Sequence, residues 1–258
     1  MKKFEIEQAL RQVGIENAAL EATLLFEAFE GEALLRAVAR RCERYPLQYI
    51  LGKWEFYRQL YEVNEHTLIP RSDTEVLVEE AIKRLPNGAR FLDLCTGSGC
   101  IAISTLAERR DTTATAVDLF TETLTVARRN AVRNGVDARI TFLEADALKA
   151  PPATLTRGGF DAILANPPYI KQDVMRDLQR EVLFEPAAAL LGGIDGLDFY
   201  RAILKGWCAL LRPCGFILFE IGYDQGEAIG ALAAQNGFSC TVKCDFGGND
   251  RVAILTRP

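Results

Sequence analysis

The stretch ARFLDLCTGSGCIAISTLAERRDTTATAVDL, residues 89–119, reads as strand, turn, helix and strand. ARFLDL is an apolar run of strand length, and CTGSG stops it with the glycines of a tight turn. CIAISTLAERR then carries apolar residues at helical spacing, and TTATAVDL returns to strand. A helix between two strands is a crossover connection, so the two strands are expected to lie parallel. Working outward, the alternation continues with a helix TETLTVARRNAVRNG (121–135), a strand ARITFLEAD (138–146) and a strand FDAILA (160–165). It goes on through a helix GLDFYRAILKGWCALL (196–211), a strand GFILFEIG (215–222) and a helix DQGEAIGALAAQNG (224–237). The last strands, FSCTVKCDF (238–246) and RVAILTR (251–257), are separated by a few residues around GGND and should form a hairpin. The fold class is therefore α/β: a doubly wound, mostly parallel seven-stranded sheet with one antiparallel strand.

Upstream, SDTEVLVEEAIKRL (72–85) reads as a helix that Ser72 or Asp73 caps, with Glu75 completing a capping box. Residues 1–45 read as short helices broken at Gly14 and Gly31, and form a small helical domain. Pro46 ends it, and residues 46–72 form a hairpin or extended linker before the α/β domain of residues 73–258. The 258-residue chain has no apolar run of bilayer-spanning length, and its start lacks the apolar core of a signal peptide, so a cytoplasmic protein is expected. A single histidine and seven scattered cysteines without paired spacing supply neither a His-based triad nor a metal site. A net charge of −5 argues against stable binding of extended nucleic acid.

In such a sheet, ligands meet the carboxyl ends of the strands. The first end carries Asp93-Leu94-Cys95-Thr96-Gly97-Ser98-Gly99, a turn that opens a helix and lets a ligand approach the backbone. The second carries Asp118, twenty-one residues after Gly97, the spacing at which a carboxylate meets ribose hydroxyls. Asp146 with Ala147, and Asn166, mark the third and fourth. Gly97-x-Gly99-x-x-Ala102 also fits a dinucleotide fingerprint, but Asp93 would face a pyrophosphate unfavourably and a cationic ligand well. S-adenosyl-L-methionine, with its adenosine, ammonium and sulfonium, suits both features; Asp93 as a plain loop cap is the alternative. Asn166-Pro167-Pro168-Tyr169 gives a stiff corner. There Asn166 and the Pro167 carbonyl can accept the two N–H bonds of a planar amino group while Tyr169 stacks on its face.

DLCTGSG (93–99), Asp118, NPPY (166–169), LIPRSDTE (68–75), QYILGKWEFY (48–57) and EPAAALLGGIDGLDFYR (185–201) together resemble the HemK/PrmC family, N5-glutamine methyltransferases of peptide chain release factors. The resemblance runs over almost the whole chain, with Cys95 standing where glycine is common and Ser72 where proline is. It implies a Rossmann-like class I methyltransferase domain behind an N-terminal substrate-binding domain, with transfer to the glutamine of a Gly-Gly-Gln loop. It further implies that positions 95–99 and Asp118 bind the cofactor, that Asn166 touches both ligands, and that Pro167, Pro168 and Tyr169 hold the glutamine. Asp146 and Ala147 would lie against the adenine. Arg71 and Glu75 either border the site or merely start the helix. Arg36, Arg40 and Arg44 are either a basic stripe for the release factor or a solvated face. NPPY alone also marks adenine-N6 methyltransferases of nucleic acid, so the rivals are that activity, glutamine methylation of a ribosomal protein, and a nicotinamide oxidoreductase.

Overall fold

A computed structural model describes residues 1–155 and 159–257. Three helices begin the chain, α1 (Lys3–Gln12), α2 (Ala18–Ala28) and α3 (Gly31–Cys42). Their apolar stripes close on one another through Ile6, Leu10, Ala22, Leu25, Leu34 and Val38, all buried. A five-residue helix α4 (Leu47–Leu51) follows and stops at Gly52, whose φ of 69° no β-carbon favours. The expected hairpin comes next, β1 (Lys53–Phe56) against β2 (Gln59–Glu62), antiparallel with Phe56 opposite Gln59.

A 3₁₀ turn at Ser72–Thr74 leads into α5 (Glu75–Arg84). Then come β3 (Arg90–Leu94), α6 (Cys100–Glu108), β4 (Thr113–Asp118), α7 (Thr121–Arg133), β5 (Ile140–Glu144) and β6 (Phe160–Ala165). The chain continues through α8 (Asp198–Lys205), β7 (Leu211–Glu220), α9 (Gly226–Gln235), β8 (Ser239–Cys244) and β9 (Asp250–Thr256). The seven strands β3 to β9 lie in the order β5-β4-β3-β6-β7-β9-β8, and β9 alone runs antiparallel to its neighbours. The two-residue period of the strands divides the core. Phe91, Ala162, Leu164, Phe216 and Leu218 face one layer with α5 and α6, while Leu92, Ile163, Ile217 and Phe219 face the other with α8 and α9.

Two features aim this scaffold. The chain lays β4 and β5 on one side of β3 and β6 and β7 on the other, so the switch point opens between the carboxyl ends of β3 and β6. The hairpin is pinned over that region by Asn130 of α7, which is fully buried. Its Nδ2 donates to the carbonyls of Glu62 (3.0 Å) and Ser98 (2.9 Å), and its Oδ1 accepts from Glu62 N at 2.6 Å. Among the described residues no helix is long and apolar enough to cross a membrane.

Candidate active site

The turn after β3 opens the site. Cys95, Gly97 and Gly99 have φ of 59°, 57° and 83°, so Cys95 takes up the left-handed backbone that glycine supplies elsewhere. Gly99 has no substitute: a β-carbon there would lie 2.7 Å from Ile103 Cδ1 and 3.3 Å from Ala127 Cβ. The turn is held from below by Asp93, whose Oδ2 accepts the Thr96 hydroxyl at 2.5 Å and the Ala102 N–H at 3.2 Å. Asp93 is wholly buried and does not line the cavity above it. In this structure its carboxylate serves as the cap of the loop. Burial pushes its carboxyl up to about 7, against the Thr96 and Ala102 hydrogen bonds.

Asp118 closes the turn from the next strand, taking the Gly97 N–H on Oδ2 at 2.9 Å and the Phe120 N–H on Oδ1 at 3.3 Å. Burial raises its carboxyl, while the N–H groups of Gly97, Phe120 and Leu119 draw it down. Asp146 ends the third strand's loop with an Asx turn to Leu148 N (2.9 Å) and an ion pair to Lys149 (3.3 Å). Ala147 is fixed beside it because the buried Trp207 donates Nε1–H to the carbonyls of Ala147 (3.1 Å) and Lys149 (3.0 Å). Burial raises the Cys95 thiol, and the nearby Asp118, Asp93 and Asp146 carboxylates raise it further, so it stays neutral.

These strand ends border one cavity of about 380 Å³. Cys95, Thr96, Gly97, Ser98, Asp118, Asp146, Ala147, Asn166 and Pro168 all line it. Pro167 and Tyr169 do not. Tyr169 packs its ring against the core layer of α8 and α9, and its carbonyl accepts Gln225 Nε2 at 3.2 Å. The corner is backed by a close backbone approach, since a β-carbon on Gly196 would sit 2.3 Å from the Tyr169 carbonyl oxygen. Asn166 is anchored through its amide nitrogen, Nδ2 donating to Thr74 Oγ1 at 3.4 Å, which leaves Oδ1 as its free acceptor.

Several lining residues were not among the site residues expected from the sequence. Pro186 to Ala189 and Leu191 form the outer wall, and His66, Leu68, Phe120 and Thr123 form the side below the hairpin. The signal was EPAAALLGG, whose Glu185 accepts Ile69 N at 3.0 Å and pairs with Arg71 while itself 5% exposed. Arg71 does border the site. Glu75 does not, and it forms no capping box: Thr74 occupies the cap position in helical backbone, and Glu75 Oε1 instead accepts Tyr57 N at 2.8 Å. The basic stripe is also broken. Arg36 pairs with Glu32, Arg40 stacks 3.7 Å over the Tyr45 ring, and Arg44 lies beyond the helix end with Nε 3.0 Å from Glu181.

A family model described as the methyltransferase small domain matches residues 72–194. A release factor glutamine methyltransferase of Geobacter sulfurreducens is 39% identical, over 94% of this chain and 91% of its own. One from Caulobacter vibrioides is 35% identical, over 95% and 91%. Among solved structures, a methyltransferase from Pyrococcus furiosus superposes with a TM-score of 0.58 at 18% identity, covering 76% of this chain and 88% of that one. The ribosomal protein L11 methylase of Lactobacillus delbrueckii subsp. bulgaricus superposes with a TM-score of 0.53 at 22% identity, covering 76% and 84%. The solved structures share the fold, and the relatives share the sequence over more than nine-tenths of this chain. On that shared length, this chain belongs to the release factor glutamine methyltransferase family.

Proposed function

We propose that this chain methylates the side-chain amide nitrogen of the glutamine in the Gly-Gly-Gln loop of a peptide chain release factor, in the cytoplasm, using S-adenosyl-L-methionine. The observation that carries the reading is Asn166, set at the mouth of β6 with its amide nitrogen tied back to Thr74 and Oδ1 left free at the cavity. The residues present fit the cofactor. Asp118 lies at the strand end where ribose hydroxyls are met, the Cys95–Gly99 turn exposes backbone to the cavity, and Leu119, Phe120, Ala147 and Leu148 give apolar walls to a flat ring. When bound, the cofactor supplies a methyl on a sulfonium: the nitrogen–carbon bond forms as the carbon–sulfur bond breaks, the electron pair returns to sulfur, and the nitrogen afterwards loses a proton.

What the chain contributes is aim. A carboxamide nitrogen is a poor nucleophile because its lone pair is delocalised into the carbonyl. Asn166 Oδ1 and the Pro167 carbonyl, accepting its two N–H bonds, hold it and favour the geometry in which that lone pair points at the methyl. The two prolines keep the corner from yielding. Pro168 gives the glutamine an apolar surface within the cavity, and Tyr169, packed on the α8 and α9 layer, braces the corner from behind. Pro186 to Ala189 add further apolar surface to the cavity.

The test is incubation with methyl-labelled cofactor and, in parallel, a release factor, ribosomal protein and DNA, followed by peptide and nucleoside mapping. Label on the Gly-Gly-Gln glutamine is the expected result; label confined to adenine or to a ribosomal protein overturns the substrate. Asn166→Ala should lower turnover by ~10²-fold or more while cofactor affinity stays within a few-fold. A variant that turns over normally removes Asn166 from the reaction.

A further inference from the structure

Asn166 can do its work in only one of two orientations. With Oδ1 toward the cavity it accepts from a substrate amide; turned over, it would present N–H to N–H. The side chain that decides between them is Thr74, a 1%-exposed residue of the 3₁₀ turn before α5, whose Oγ1 takes the Asn166 Nδ2–H at 3.4 Å. A hydroxyl that accepts in this way has its own proton left to give. Behind it stands Glu220, the last residue of β7 and 1% exposed. The β6–β7 register ends with Ala165 beside Phe219, and Asn166 and Glu220 are the next residues of the two chain segments. Glu220 Oε2 is buried without a hydrogen-bond partner among the described residues. A buried, unpartnered carboxylate oxygen is costly unless a donor turns to it.

We propose that Glu220 and Thr74 are positioning residues for the methyl transfer: the carboxylate accepts a hydrogen bond from the Thr74 hydroxyl, the hydroxyl oxygen accepts one from Asn166 Nδ2–H, and Oδ1 is thereby held toward the substrate amide. The proposal rests on the function argued above. The polarity of this chain depends on the charge of Glu220. As a carboxylate it can only accept, and the order is fixed; as an acid it can donate to Thr74 Oγ1, which frees the hydroxyl to donate to a turned-over Asn166. Burial pushes the Glu220 carboxyl up to about 7, while Thr74 and then Arg251 draw it down. The other groups that face it are Asp73 and Arg71 before α5, Tyr169 after β6, Tyr200 of α8 and Cys100 of α6. Arg251 is shared with Asp245 (3.1 Å) and Asp73 (3.3 Å), so its charge is not Glu220's alone.

The test compares the full-length wild type with Thr74→Val, Thr74→Ser and Glu220→Gln, by turnover and by the Asn166 side-chain amide resonance of the free protein. Thr74→Val keeps the branched shape and loses the hydroxyl. It should lower kcat ~10-fold or more with KM and cofactor affinity unchanged, and Thr74→Ser should restore the rate. Wild-type kcat should fall as pH drops through about 7, a dependence missing in Glu220→Gln. The Asn166 resonance should follow the same titration in the wild type and move on Thr74→Val. A Thr74→Val enzyme with wild-type kcat, or an Asn166 resonance indifferent to both substitutions, overturns the proposal. If the wild type methylates no release factor, the substrate reading fails, and the resonance still decides whether the chain of hydrogen bonds exists.

Discussion

Asp93 accepts two hydrogen bonds on Oδ2 and none on Oδ1, with no exposure to water. Such a group prefers to be neutral, hence its carboxyl near 7 against an ordinary 3.8. Below the ordinary value it is protonated folded or unfolded and costs nothing. From there to about 7 the unfolded chain gives up the proton and the folded one keeps it, so stability falls as pH rises, and the whole loss, a few kcal/mol, is in place above 7. Asp93→Asn keeps an acceptor for Thr96 and Ala102 and removes the titration. Thermal melts at pH 5 and pH 8 should show the variant gaining on the wild type at the higher pH; parallel behaviour at both would remove Asp93 from the pH response. Asp118 and Asn166 could be singled out in the sequence because each stands at the end of a strand, and both line the cavity. Glu185, Thr74 and Glu220 could not, because their meaning lies in partners such as Ile69, Arg71 and Asn166 that are remote in sequence.

At the scale of the element, α6 is preceded at its cap by Gly99, whose left-handed backbone and close neighbours favour glycine. Gly99→Ala puts a β-carbon on an already left-handed backbone and a methyl against Ile103 and Ala127. It should cost roughly 2–4 kcal/mol, read from the denaturant midpoint, with the slope unchanged. Most strands and helices longer than a turn or two were legible from period, but the helix expected over 196–211 stops at Lys205, where Gly206 follows; a 3₁₀ turn covers Trp207–Leu210 and β7 already starts at Leu211. The elements that escaped were those whose ends are set by tertiary contacts. α4 is five residues of apolar and aromatic character that read equally as strand, and its register as helix comes from Leu47 packing on α1 to α3 and Tyr49 donating its hydroxyl to the Thr67 carbonyl at 2.5 Å. The helix foreseen from Ser72 starts instead as a 3₁₀ turn, because Glu75 is taken by the hairpin through Tyr57 N. A local capping signal lost to a distant donor of equal strength.

Across the whole molecule, charge pairs as well as apolar packing, such as Tyr45 on Phe184, tie the N-terminal helices to the rest. Arg41 is 5% exposed and donates to both oxygens of Glu21, at 2.5 and 3.1 Å, and to Glu181 at 3.2 Å. It thus ties α2 and α3 to the loop that follows the NPPY corner. Removing one member strands the others in poor solvent. Arg41→Ala should therefore cost about 3 kcal/mol, and hydrogen exchange should rise first in α1 to α3; protection that falls evenly over the sheet would deny the junction its special place. The placing of β9 has a consequence in time. Val252–Thr256 pair with Phe216–Glu220 on one side and with β8 on the other, so the sheet cannot close in the order in which it is made. During synthesis β7 waits with an open edge, a surface prone to pairing with the wrong chain, until residue 256 has emerged. Glu220 sits at the end of that waiting strand, and the support behind the NPPY corner is among the last parts of the enzyme to be put in place.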